Sequence, residues 1–139
     1  NFDGSEIDSG TVVEFMVAKF ADIPALLLRT DFRRGGDQGH DPWNLMLSFY
    51  PRTKTCCLDG MALYKAALAE GLDPVAAADR MLEQIAAQVV PELEALAHTK
   101  PLLPTELTNS VHDWLVRFPG FRSPESVTRI RKAITHKSS

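Results

Sequence analysis

Two acidic residues at the start of an apolar stretch have the types and spacing that suggest chemistry. Asp8 and Glu14 lie on either side of three small residues in the segment DSGTVVEFMVAKF, residues 8–20. The positions three and four residues from Glu14 hold no cation, so a helix here would lack the usual i,i+4 ion pair at that carboxylate. Two carboxylates around one pocket suit glycosyl transfer, in which one attacks the anomeric carbon and the other positions substrate or handles protons.

The environment of Glu14 decides between a reactive and an ordinary carboxylate. We expect Glu14 on the buried side of a helix, about one turn past its start, where the helix N-terminus favours the ionised form that a nucleophile needs. Ser9, Gly10 and Thr11 would leave open space over the first turn for a ligand. Two plainer alternatives remain open: Glu14 points into water, and Asp8 is an N-cap.

The elements that must position these residues follow from the apolar pattern. A helix is predicted over 11–21, with its main stripe at Val13, Val17 and Phe20, widened by Val12, Phe15 and Met16. The continuous apolar run 23–30 predicts a strand buried in a parallel sheet, and 53–59 predicts a second strand. The glycine-rich loop 31–42 follows the first strand, where α/β proteins place ligands, so Asp31 is a candidate binding residue.

The chain after residue 71 is predicted to be helical. Gly71 ends one helix, and Asp73-Pro74 begins a long one that Pro91 should bend or break. Two further helices are expected near 107–118 and from Ser123 to about Thr135. We therefore divide the chain into an α/β portion, 1–71, and a helical extension, 72–139. The long helix has a predicted apolar stripe at Ala78, Leu82, Ile85, Val89, Leu93 and Leu96.

Composition excludes several classes of protein. The formal charge of −3 and the pI near 5.8 argue against a nucleic-acid-binding protein, whose domains usually carry a basic excess. No run of 18–20 apolar residues suggests a membrane span, and no leader pattern is seen, so a cytoplasmic protein is expected. Cys56 and Cys57 are adjacent and should remain reduced, with Cys57 buried. The four histidines have no ligand spacing, and neither metal nor cofactor is expected.

Two segments resemble a known family. Asp8-Ser9-Gly10-Thr11-Val12-Val13-Glu14 resembles the D-x-G-T-x-x-E signature of the nucleoside 2-deoxyribosyltransferase family, and PWNLMLSF resembles that family's N-L-M segment. The resemblance covers roughly residues 1–70 and implies a flavodoxin-like α/β fold. The family's first strand and an early aromatic residue are missing from this sequence, so the parallel sheet should be incomplete in this chain, and the helical extension is longer than the family's usual ending.

The resemblance also implies residue roles. Glu14 would attack C1′ of a deoxynucleoside and expel the base, and a second base or water would resolve the covalent intermediate with retention. Asp8 would hold sugar hydroxyls or assist proton movement, and Asn44 would reach the active site of a neighbouring subunit in a homo-oligomer. Asp3, and less directly Asn1, would bind base or sugar.

The implied function is nucleoside deoxyribosyl transfer, and two rival hypotheses stay open. If the arginines of the loop, Arg29, Arg33 and Arg34, face the pocket, a 5′-phosphate becomes an attractive substrate feature and the enzyme would be a nucleotide N-glycosidase. The second rival is a non-catalytic interaction module, in which an α/β piece carries a helical extension that docks onto a partner.

Overall fold

A computed structural model describes residues 1–4, 8–31, 45–118 and 123–135. The chain divides into two compact units. The first unit comprises Asn1–Lys19 and Ile23–Lys100, and the second comprises Phe20–Asp22 and Pro101–Ser139. The helices and strands, in chain order, are α1 (Ser9–Phe20), β1 (Ala25–Arg29), α2 (Leu45–Ser48), β2 (Thr53–Cys57), α3 (Gly60–Ala69), α4 (Pro74–Ala97), α5 (Thr105–Leu115) and α6 (Pro124–Thr135).

The sheet of the first unit is parallel. β1 and β2 pair with Ala25 opposite Thr53 and Arg29 opposite Cys57. Along a parallel strand, the backbone groups of successive residues point to opposite edges. The carbonyl of Arg29 accepts from Leu58 on the β2 side, so the carbonyl of Leu28 points to the other edge of β1. There it accepts from the N–H of Phe2 at 2.9 Å. β1 therefore lies between β2 and an extended segment at residues 1–3. The mixed α/β class is confirmed; the fuller flavodoxin-like arrangement remains a prediction.

The core of the first unit lies between α1 and the sheet. Phe2, Phe15, Leu27 and Leu47 are buried together, and Phe15 meets the ring of Phe2 edge-on at 6.5 Å between centroids. Partly buried side chains that complete this core are Val12, Met16, Ala25 and Tyr50.

The predicted core stripe of α1 was wrong in its orientation. Val13 is 62% exposed and Phe20 is 57% exposed, whereas Phe15 is buried. The stripe of Val13, Val17 and Phe20 and the stripe of Val12, Phe15 and Met16 both have helical spacing. Phe15 contacts the rings of Phe2 and Tyr50, which come from distant parts of the chain, and these contacts turn the second stripe toward the sheet.

Lys19 at the end of α1 fixes the entry to β2. Its ammonium donates to the carbonyls of Pro51 and Arg52 and to the hydroxyl of Thr53, at 3.1–3.3 Å. Arg52 adopts a left-handed conformation with φ of 53°, and its guanidinium donates to Thr99. These contacts hold the amino end of β2 in place.

α3 ends and α4 begins at the predicted signals. Asp59 caps α3 through the N–H of Ala62, and Asp73 caps α4 through the N–H groups of its first turn. Gly71, which follows α3, has φ of 89°, a backbone conformation that favours glycine. The structure thus confirms the start of α4 and the glycine stop of α3, whereas the Asp59 cap was not predicted.

α4 differs from its prediction in two ways. It continues through Pro91, because Ala77 and Leu96 on either side of the proline are both buried and anchor the helix. Leu82 and Leu93, predicted in the apolar stripe, are 57% and 46% exposed. α4 packs against α3, β1 and β2, so the predicted division at residue 71 falls inside the first unit.

The second unit contains α5 and α6, which agree with the two helices predicted near 107–118 and from Ser123 to about Thr135. His112 and Leu115 are buried on one side of α5, and Trp114 is 56% exposed with its ring edge-on to Phe118 at 5.5 Å. Ser123 caps α6 by accepting from the N–H of Ser126 at 3.0 Å. Among the helices that the structure covers, none has the length and hydropathy needed to cross a membrane.

Candidate functional site

The carboxyl end of β1 holds the Asp3 carboxylate in a dense set of hydrogen bonds. Asp3 Oδ1 accepts from the N–H of Thr30 at 2.5 Å and from that of Asp31 at 2.9 Å. Asp3 Oδ2 accepts from the Thr30 hydroxyl at 2.5 Å and from the Asn1 amide at 2.8 Å. The segment at residues 1–4 is thereby joined to the end of β1.

These contacts set the charge state of Asp3. Partial burial acts to raise its pKa, but the hydrogen bonds from Thr30, Asn1 and Asp31 together outweigh burial and hold the pKa below the ordinary carboxyl value. Asp3 is therefore ionised at neutral pH and is an acceptor, not a proton donor.

Asp31 and Arg29 complete this end of the strand. Asp31 Oδ2 accepts from the N–H of Gly4 at 2.9 Å, and the Arg29 guanidinium donates to the carbonyl of Gly4 at 3.1 Å. Arg29 is buried, with 9% of its surface exposed. The structure thus places Asp3 and Asp31 beside each other at the carboxyl end of β1, where Asp31 donates its N–H to Asp3, and engages Arg29 with the Gly4 carbonyl.

Asp8 is the N-cap of α1. Its Oδ2 accepts from the N–H and the hydroxyl of Thr11, both at 2.7 Å, and its carbonyl accepts from the N–H of Val12. The Thr11 hydroxyl, followed by the Thr11 N–H, lowers the pKa of Asp8. Asp8 is exposed and its lowered pKa keeps it ionised, so its carboxylate acts as a hydrogen-bond acceptor.

Glu14 lies on the exposed side of α1, so its predicted location on the buried side was wrong. The reason is the orientation of the helix: Val12, Phe15 and Met16 face the sheet. Gly10, one turn before Glu14, is also exposed, and a Cβ there would lie 3.2 Å from Asp8 Oδ2. Because positions i and i+4 share a helix face, Asp8 and Glu14 stand on the same exposed face of α1, on either side of a glycine.

The remaining predicted residues give a mixed outcome. Asn44, Arg33 and Arg34 lie outside the described residues. Cys57, the last residue of β2, is exposed, so the prediction of burial was wrong, although Thr53 and Thr55 on the same side of the strand are half-buried. Burial, followed by the nearby Glu92 carboxylate, raises the pKa of the Cys56 thiol.

Within the described parts of the chain, no group of His, Cys, Asp and Glu side chains is arranged to hold a metal ion.

Sequence reasoning missed Thr30 and Gly60. Gly60 begins α3, donates its N–H to the Thr30 carbonyl at 3.1 Å, and is buried. The position of Thr30 at a strand end, directly before Asp31, was the available signal. Its contact with Asp3 depends on pairing between distant segments and is not visible in local patterns.

Comparison of the chain with protein-family models, with curated proteins and with solved structures found no match.

Proposed function

We propose that the protein is a nucleoside deoxyribosyltransferase, which cleaves the N-glycosidic bond of a 2′-deoxynucleoside and transfers the sugar to another base through a covalent intermediate on Glu14. The observation that carries the proposal is the shared face of α1. Asp8 Oδ2 lies above Gly10, and Glu14 follows one turn later on the same face.

The glycine makes room for a substrate between the two carboxylates. Because Gly10 has no side chain, the space over the first turn is bordered by the Asp8 carboxylate, whose Oδ2 lies 3.2 Å from the place that a Cβ would take. A glutamate side chain in a helix leans toward the helix N-terminus, which directs the carboxylate of Glu14 over this open turn.

The chemistry divides into two displacements. A Glu14 carboxylate oxygen forms a bond to C1′ as the C1′–N bond breaks, and the bonding electrons leave with the base, which takes up a proton. A nitrogen of the incoming base then attacks C1′, the ester bond to Glu14 breaks, and the incoming base loses a proton. Two inversions at C1′ give net retention.

Asp8 acts as an acceptor in this scheme. Its pKa is held low by Thr11, so it stays ionised through the reaction and accepts a hydrogen bond from a sugar hydroxyl. Its negative charge also stabilises positive charge that develops on the sugar in an oxocarbenium-like transition state. Asp3 and Asp31 supply further acceptors at the carboxyl edge of β1.

The exposure of α1 favours assembly as a homo-oligomer. Val13, next to Glu14, is 62% exposed, and Phe20 on the same side of the helix is 57% exposed. A second copy covering this apolar face would remove water from around Glu14. This arrangement agrees with the role implied for Asn44 in a neighbouring subunit's site.

Hydrolysis is the second candidate, and the exposure of Glu14 favours it. If α1 remains uncovered, water reaches the covalent intermediate as readily as a base does, and the protein is an N-glycosidase. The two outcomes are separated by the products: exchange gives a new nucleoside, whereas hydrolysis gives free deoxyribose.

The test is incubation of the 139-residue chain with a 2′-deoxynucleoside, with and without a second free base, followed by chromatography and mass measurement of the trapped protein. We expect base exchange and a deoxyribosyl adduct on Glu14. Glu14→Gln should lower turnover at least about a thousandfold and abolish the adduct, because the amide is a poor nucleophile.

The control is Glu94→Gln, which neutralises another exposed helical glutamate, on α4. It should turn over substrate at the parent rate, and both variants should keep the parent unfolding midpoint. Turnover by Glu14→Gln at the parent rate, or none by the parent chain, would contradict the proposal. The second result would leave the interaction-module hypothesis.

A further inference from the structure

Thr30, which directly follows β1, makes three hydrogen bonds to two other segments of the chain. Its N–H and its hydroxyl bind the two oxygens of Asp3, each at 2.5 Å, and its carbonyl accepts from the N–H of Gly60 at 3.1 Å. One residue therefore joins the N-terminal segment, β1 and the start of α3.

We infer that Thr30 is a positioning residue, whose hydroxyl fixes the Asp3 carboxylate in one orientation and presents it to the substrate. The inference rests on the proposed function, which makes Asp3 a substrate acceptor. The side chain of Thr30 is suited to this role because it is β-branched, with a restricted χ1, so its hydroxyl is held in place.

The number of donors around Asp3 shows which contact a substrate can replace. An ionised carboxylate has about four acceptor positions, and four donors fill them: two from Thr30, one from Asp31 and one from Asn1. Two of these are backbone N–H groups. The Asn1 amide belongs to an exposed side chain, so a sugar hydroxyl or base nitrogen would displace it and leave Thr30 in place.

Two charged side chains and the α-amino group of Asn1 lie at the same end of β1 as this carboxylate. Asp31 binds the N–H of Gly4, and Arg29 binds the Gly4 carbonyl. Neither is altered by a change at the Thr30 side chain, so a shift in the titration of Asp3 on loss of the hydroxyl reports that hydroxyl.

The experiment compares Thr30→Val, which removes the hydroxyl and keeps the shape, with Thr30→Ser, which keeps the hydroxyl. The Asp3 pKa is followed through the carbon-13 shift of its carboxyl group during a pH titration of the protein without substrate. We expect Thr30→Val to raise that pKa by about one unit and Thr30→Ser to leave it near the parent value. Thr55→Val, which removes a hydroxyl on β2 that contacts Ser48, is the matched control and should change nothing at Asp3.

Base exchange supplies the second readout. Thr30→Val should raise KM for the deoxynucleoside about tenfold with kcat little changed, and Thr30→Ser should restore it. A parent-like Asp3 titration in Thr30→Val, or a shifted one in Thr30→Ser, would overturn the inference. Absence of exchange by the parent chain would overturn the proposed function instead, and the titration would still decide whether Thr30 holds Asp3.

Discussion

Gly60 lies so close to Thr30 that a side chain cannot be added without movement. The N–H of Gly60 donates to the Thr30 carbonyl at 3.1 Å, and a Cβ at Gly60 would lie 2.9 Å from that oxygen. This approach sets the start of α3 against the end of β1, at the same residue that binds Asp3. The packing of α3 and the geometry of the proposed site are therefore linked through one carbonyl group.

Gly60→Ala should destabilise the protein for this reason. The added methyl forces the Thr30 carbonyl or the start of α3 to shift, and we expect the free energy of unfolding to fall by about 1–3 kcal/mol in urea titration. Gly71→Asn is the control, since Gly71 has positive φ but open space around it, and asparagine tolerates that conformation. An alanine variant at Gly60 as stable as the parent would contradict the contact.

Asp3 should make stability depend on acid pH. Its pKa is lowered in the folded state, so its contribution is present above the unfolded value of about 3.8 and is lost as pH falls through the lower folded pKa. Asp3→Asn removes the charged acceptor. The parent should therefore be more stable than Asp3→Asn by a constant amount from about pH 7 to about pH 5, and the difference should shrink below about pH 3.8.

Urea unfolding at a series of pH values measures this difference. Asp79→Asn, an exposed carboxylate on α4, is the control and should show no such dependence. A difference between parent and Asp3→Asn that persists unchanged at low pH would contradict the charge state assigned to Asp3.

The sequence predicted the elements well because their signals are local. The cap Asp73, the stop at Gly71 and the short apolar run of β1 each act within a few residues, and each agrees with the structure. The orientation of α1, by contrast, depends on contacts with distant parts of the chain. Its apolar residues surround most of the helix, so either stripe satisfied the helical period, and only the rings of Phe2 and Tyr50 distinguish them.

The candidate site was predictable to a similar extent. The residues Asp8, Gly10 and Glu14 follow from the motif, and the structure adds that they share an exposed face. The contact of Asp3 with Thr30 joins positions 27 residues apart in the chain. No periodic pattern encodes such a contact, because it depends on which segments become neighbours in the sheet.

Asp22 should hold the chain that leads into α5. It adopts φ of 53°, and its Oδ2 accepts from the N–H groups of Leu102 and Leu103 at 2.7 and 3.0 Å. Asp22→Ala removes the acceptor and places alanine in a strained conformation, whereas Asp22→Gly removes only the acceptor. We expect about 2 kcal/mol of destabilisation for Asp22→Gly and more for Asp22→Ala.

Amide hydrogen exchange localises this effect. The amides of Leu102 and Leu103 should lose protection in both Asp22 variants, whereas amides of the β1 and β2 pair keep theirs. Unchanged protection at these two amides would show that the hydrogen bonds to Asp22 do not hold the connecting segment.

Gly10→Ala should separate stability from activity. Alanine favours a helix over glycine by up to about 1 kcal/mol, and displacing the Asp8 cap costs a similar amount, so the free energy of unfolding should change by less than about 1 kcal/mol. The new Cβ would lie 3.2 Å from Asp8 Oδ2 and would occupy the gap between Asp8 and Glu14. Base exchange should therefore fall at least about tenfold, because a displaced carboxylate and a narrower gap both weaken transition-state binding. Ser9→Ala, at the neighbouring exposed position, should leave exchange intact; parent-like exchange in Gly10→Ala would place the substrate elsewhere.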